Sequence, residues 1–144
     1  MVQSESALFT RILRDTRNVA VVGLSPNPTR PSYGVARFLQ SLGWRVVPVN
    51  PGHAGETILG ETVVASLADI PDPGAIDMID IFRRSDAAGA VVEEALAALP
   101  NLRTVWMQLG VTAPHAAVLA RARGVDVVED RCPAIEFPRL LAAR

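Results

Sequence analysis

At 144 residues, with 49% hydrophobic and 20% charged side chains, the chain has length for one domain with a real core and is too apolar to be disordered. A net charge of −1 argues against a basic nucleic-acid surface, and all 14 basic residues are arginine, which excludes a Schiff base, a phosphate-loop lysine or a Ser–Lys dyad. The single cysteine, Cys132, leaves no internal disulfide, and neither a leader-like segment nor the ~20 apolar residues of a membrane span is found, so a cytoplasmic protein is expected.

Ser4 to Asp15 carries Leu8, Phe9, Ile12 and Leu13 at helical spacing and predicts an amphipathic lead-in helix. Val19 to Gly23 follows as a strand apolar on both faces, as a sheet covered on both sides requires. A long polar loop, LSPNPTRP, then leads to a helix over Ser32 to Leu42, with Val35, Phe38, Leu39 and Leu42 inward and Gly43 as its stop. Arg45 to Val49 is the second strand and ends in Asn50-Pro51-Gly52. From His53 to Gly74 the chain is rich in Gly and Pro, with a short β candidate at Glu61 to Val64 and one helical turn from Ser66 to Pro71.

Ile76 to Phe82 reads as a further strand and Ser85 as the N-cap of the next helix, with Val91, Val92, Ala95, Leu96 and Leu99 inward. Arg103 to Gln108 is a strand, Thr112 caps a helix with Pro114 in its first turn, and Gly124 stops it. Val125 to Glu129 is the last strand, followed by Asp130-Arg131-Cys132-Pro133 and a short helix near Ala134 to Leu141. Alternating strands and helices predict an α/β fold: one doubly wound, Rossmann-like domain with a mainly parallel sheet of five to six strands and helices on both faces. A lead-in helix at 4–15, a core at 18–130 and a closing helix at 133–141 divide it. Counting Glu61 to Val64 as the third strand, the expected order is 3-2-1-4-5-6, with ligands bound beyond the strands' carboxyl ends.

That rule sorts the candidate residues. The loop after the first strand is longer than the 2–6 residues or so of an ordinary strand-to-helix turn. It is stiffened by Pro26, Pro28 and Pro31 and delivers Ser25, Thr29, Arg30 and Ser32 to a helix N-terminus, where anions are favoured. Gly23 fits the first position of the dinucleotide fingerprint, but Ser25 and Pro28 stand at its second and third glycines. Asn50-Pro51 replaces the acidic residue that would hold the ribose of NAD, so a standard NAD site is not expected. Arg30 and the pair Arg83-Arg84 are the anion ligands expected, with a solvated arginine at a helix start as the alternative, and favoured, reading of Arg84.

Asp77 and Asp80 interrupt an apolar strand and are read as structural, facing one side together. His53 and His115, with one cysteine, make no metal-ligand spacing, and no catalytic residue set is assigned. Cys132 stands at the ligand edge beside Arg131 and is a candidate reactive thiol, against the plainer reading of a small buried side chain.

These edge segments carry a family likeness. VAVVGLSPNPTRPSYGVARFL, GWRVVPVNP, ILGE with SLADIP, IDIFRRS, VWMQLGV and VVEDRCP together resemble the stand-alone CoA-binding proteins. Those are similar to the CoA-binding domain of the succinyl-CoA synthetase α subunit and of ADP-forming acyl-CoA synthetases. The resemblance implies a Rossmann-type fold that holds coenzyme A. Gly23, Ser25, Pro26, Arg30, Ser32 and Tyr33 would line the phosphate loop, and Asn50 and Pro51 would contact the nucleotide. Phe82 and Arg83, with Met107, Gln108, Leu109 and Gly110, would flank the nucleotide and the pantetheine arm. Gly52 and His53 stand where the synthetase has a CoA-contacting lysine, and no phosphohistidine domain is present, so ligase activity is not expected of the chain alone.

The reading is therefore a non-catalytic module for CoA or an acyl-CoA: a carrier, sensor or partner subunit. Two rivals stand beside it: an enzyme, whether an atypical oxidoreductase or an acyl-CoA chemistry using Cys132, and a regulatory partner that kept the fold and lost the ligand. The apolar tail FPRLLAAR is the face available to a protein partner or a second copy.

Overall fold

A computed structural model describes residues 4–142. Its centre is a parallel sheet built from β1 (Asn18–Val22), β2 (Arg45–Val49), β5 (Met78–Ile81), β6 (Thr104–Met107) and β7 (Asp126–Val128), in the order β2-β1-β5-β6-β7. In β1 and β5 no residue from Val19 to Val22 or from Met78 to Ile81 is more than 5% exposed, because helices cover both faces. Helices α1 (Glu5–Asp15), α2 (Pro31–Ser41) and α5 (Pro133–Ala142) pack on one face, and α3 (Ser85–Ala98) and α4 (Pro114–Ala122) on the other.

The period-2 alternation of each strand divides the core. Ala20, Val22, Ile79, Ile81, Val105 and Met107 meet α3 and α4, while Val19, Val21, Met78, Trp106 and Val128 meet α1, α2 and α5. On the second face Trp106 anchors an aromatic cluster, with Phe9 at 5.1 Å and Phe137 at 5.4 Å between ring centroids. Its indole Nε1 donates to the Arg131 carbonyl at 2.8 Å, so the ring is buried without an orphaned donor. Among the described residues no helix is long and apolar enough to cross a membrane.

Four details differ from expectation. Glu61 to Val64 is not a third strand of the main sheet. Glu61–Thr62 (β4) pairs antiparallel with Thr57–Ile58 (β3) across a tight turn in which Leu59 (φ 51°) and Gly60 (φ 84°) both take left-handed backbone. Two consecutive positive φ values make the strand-matched hairpin turn, and a leucine in the first position hides it from sequence reading. Only Val64 pairs with the main sheet among these residues, by one parallel bridge to Val49 on the outer side of β2, where a third strand would stand.

Asp77 and Asp80 do not share a face, since three residues apart on a strand means opposite sides. Asp77 precedes β5 and accepts the backbone N–H groups of Arg17 and Asn18 at 2.8 and 2.9 Å, whereas Asp80 is fully buried on the α1/α2/α5 side. Ser85 is not an N-cap: Arg84 holds that position, and Ser85 Oγ instead donates to the Gly110 carbonyl and accepts from Thr112 N–H. Ala113, not Thr112, precedes the first turn of α4, because Thr112 N–H is held in that cross-link.

Candidate functional site

The winding reverses at β1. The chain leaves β1 through α2 to reach β2 on one side, and α3 leads from β5 to β6 on the other, so a crevice opens beyond the carboxyl ends of β1 and β5. Gly23 lies at its centre. The Gly23 N–H donates to the Val49 carbonyl at 2.8 Å, and Phe82 N–H donates to the Val22 carbonyl at 2.8 Å, which extends both ladders to the rim.

Gly23 has φ 90°, and a Cβ there would stand 2.3 Å from the Phe82 carbonyl oxygen. Backbone strain and a main-chain clash act together, so Gly23→Ala is expected to cost roughly 2 kcal/mol or more of stability. Urea unfolding of the variant measures it, and an unchanged midpoint would mean that the rim is not packed this way.

Two clefts flank this glycine. One, of about 300 Å³, is lined by Gly23, Ser25, Arg30, Pro31, Ser32 and Phe82. The other, of about 340 Å³, lies on the α3 side and includes Val22, Val49, Pro51, Ser66, Arg83 and Val91. Among the described residues neither Arg30 nor Arg83 has a carboxylate or carbonyl partner. Arg84, by contrast, points outward with its side chain 87% exposed beside Asp86.

The loop between Gly23 and α2 is tied to itself. Ser25 N–H donates to Ser32 Oγ at 3.0 Å, Asn27 N–H to Ser25 Oγ at 3.1 Å, and Thr29 N–H to Asn27 Oδ1 at 3.0 Å. Short side chains that bond the backbone two residues on replace helix or strand ladders here, and the prolines remove competing conformers. Pro31 at the first helical position gives α2 an abrupt start, with Arg30 immediately before it. Tyr33 is half-buried against the α1/α2/α5 core.

Asn50 serves as a strut. Its Nδ2 donates to the Leu24 carbonyl at 3.0 Å and its Oδ1 accepts Gly52 N–H at 3.0 Å, which locks the loop after β1 to the end of β2. The opposite end of the rim is the turn after β6. Met107 is fully buried towards α3 and α4, Gln108 is 8% exposed, and Leu109 is 54% exposed. Gly110 N–H donates to Asp130 Oδ1 at 2.7 Å, and Ala113 N–H to Glu129 Oε2 at 2.9 Å. Asp130, at φ 57°, and Ser85 thus brace this turn from both sides, a role that sequence reading missed because the cross-links join distant loops.

Cys132 is 6% exposed and lies in the α1/α2/α5 core, where its carbonyl receives the first N–H groups of α5. Asp80 is 0% exposed, and neither of its carboxyl oxygens has a protein partner among the described residues; burial alone pushes its pKa well above the usual carboxylate value.

Residues 17–138, nearly the whole length, match the sequence profile described as a CoA binding domain. The chain belongs to this CoA-binding domain family. The Bacillus subtilis protein YneT is 34% identical over 132 residues, covering 92% of this chain and 93% of the relative. Among solved structures, a Thermus thermophilus protein superposes with a TM-score of 0.86 at 35% identity, covering 95% of this chain and 99% of the other. A Pyrococcus horikoshii protein gives 0.85 at 31% identity, with 98% and 99% covered. A Rex-family repressor, at 16% identity and a TM-score of 0.60, covers 93% of this chain and 63% of its own length and shares the fold alone. This CoA-binding domain is thus of the small Rossmann-like kind, with its rim assembled at the reversal of winding beside β1.

Proposed function

We propose that this domain binds coenzyme A, or an acyl ester of it, as a carrier, sensor or partner module with no catalytic group of its own. The observation that carries this reading is the pair Arg30 and Arg83, unpaired beside Gly23 in a chain whose net charge is −1. Most other arginines are engaged by carboxylates or carbonyls, so cationic valence left free at the rim is local and available. Each guanidinium offers a planar fork suited to phosphate oxygens.

In this reading Gly23, Ser25, Pro26, Arg30, Ser32 and Tyr33 form the phosphate loop. Phe82, Arg83 and Pro51 border the nucleotide, and Gln108, Leu109 and Gly110 border the pantetheine arm. Asn50 contributes by holding the loop in place; its polar atoms are spent on Leu24 and Gly52, which also speaks against a ribose-binding role of the NAD type. Met107 contributes as core beneath the turn.

Calorimetry with CoA, acetyl-CoA, dephospho-CoA and NAD(P) side by side tests the reading. CoA is expected to bind and NAD to give no signal. Binding of NAD without any CoA signal would overturn it.

A further inference from the structure

Asp80 and Gln108 hold three buried oxygens that no described protein group satisfies: Asp80 Oδ1, Asp80 Oδ2 and Gln108 Oε1. They lie on one side of the sheet. Asp80 is in register with Trp106, which faces α1, α2 and α5, and strand alternation places Gln108 on that same side two residues on. Gln108 N–H still bonds the Ile81 carbonyl at 3.3 Å, so the ladder continues to that residue. A strand spacing of about 4.8 Å and a rise of about 3.3 Å per residue put the two Cα atoms roughly 8 Å apart. Two side chains of this length reach across that gap with one small polar molecule between them.

The two ends of the Gln108 amide meet different surroundings. Its oxygen is enclosed, while its Nε2 has no protein partner and is not enclosed, at the rim beside Leu109. We infer that Asp80 is a positioning residue: through one shared internal water it fixes the Gln108 amide, so that Nε2 is presented to a carbonyl or phosphate oxygen of the ligand. A water in that place donates to Gln108 Oε1 and to the Asp80 carbonyl oxygen and accepts the Asp80 O–H, which gives it three partners, the usual number for a buried water. A carboxyl group that keeps its proton supplies both the donor and the acceptor this needs; a carboxylate would leave the water one donor short. Without Asp80 no side chain among the described residues distinguishes the two ends of the amide, and a flipped Gln108 would turn an acceptor towards an acceptor.

This inference rests on the CoA reading of the rim, and its test separates the two. In calorimetry with CoA, Asp80→Asn, which keeps one donor and one acceptor in the same shape, is expected to bind within about threefold of the parent protein. Asp80→Leu is expected to fold and to bind about tenfold more weakly, the scale of one lost hydrogen bond to a ligand. Gln108→Leu is expected to weaken binding equally, and Asp80→Leu added to it to cost nothing more. Parental affinity in Asp80→Leu, failure of Asp80→Asn to rescue, or full additivity of the two leucine substitutions would each overturn the inference. If the parent protein binds no CoA at all, the reading of the rim fails instead. A high-resolution crystal structure of the free protein then decides the inference: a water bonded to both side chains supports it, and a direct Asp80–Gln108 bond overturns it.

Discussion

Arg30→Ala is expected to weaken CoA binding by about 1.5–3 kcal/mol, and Arg83→Ala by a similar amount, as for hydrogen bonds to a charged group. Neither change should disturb folding, because neither guanidinium has a partner among the described residues that its loss would orphan. Substitution of Arg84 is the internal control: it lies one residue further on, pairs with Asp86 at 3.3 Å, and should leave affinity unchanged. The arginine contributions are also expected to fall as salt screens them, so titrations at two ionic strengths belong in the same experiment. Parental affinity in both Arg30→Ala and Arg83→Ala would move the phosphates away from Gly23.

Asp80→Asn is expected to stabilise the fold, and increasingly so as pH rises. Desolvation in the α1/α2/α5 core holds the folded carboxyl protonated far above its ordinary value of 3.8. Below that value both folded and unfolded chains carry the proton, and Asp80 contributes no pH dependence. Above it the unfolded chain releases the proton while the folded chain retains it, so stability falls by about 1.4 kcal/mol per pH unit until the folded group itself ionises. Asparagine has the same shape and no proton to lose, so it removes that slope. Urea midpoints of both proteins at several values between about pH 4 and 7 measure the widening gap. Parallel curves would show that Asp80 ionises normally in the folded state. A residue expected to lower the stability of the protein holding it, one step beneath the proposed CoA rim, fits the positioning role inferred for it.

The strand and helix pattern was open to reading because it depends on local chemistry. VAVV and the apolar run from Ile76 to Phe82 can only be strands covered on both faces, and Gly43 and Gly124, with φ of 90° and 77°, end the helices before β2 and β7. The loop from Ser25 to Ser32 also declared itself, since its prolines and short polar side chains bond locally. The hairpin at Thr57–Thr62 did not, because its turn forces Leu59 into a conformation that leucine does not advertise. Asp77 and Asp80 read as a pair in sequence, but Asp77 lies just before β5 and Asp80 within it, and the period of a strand separates them. Ser85 reads as a cap in sequence because its actual partners, Gly110 and Thr112, lie 25 and 27 residues away.

What the order of residues carries unaided is thus the repertoire: parallel strands, covering helices, a stiff loop at a helix start, and arginines placed near strand ends. Tertiary structure chooses among the meanings. Among the described residues it leaves Arg30 and Arg83 without partners on either side of Gly23, and it makes Asn50 a strut between the loop after β1 and the end of β2. It sets Asp80 beside Trp106 and one step below Gln108. The physical reason is register. Which side chains share a face or a gap follows from how distant strands align, and no local run of the chain encodes that alignment.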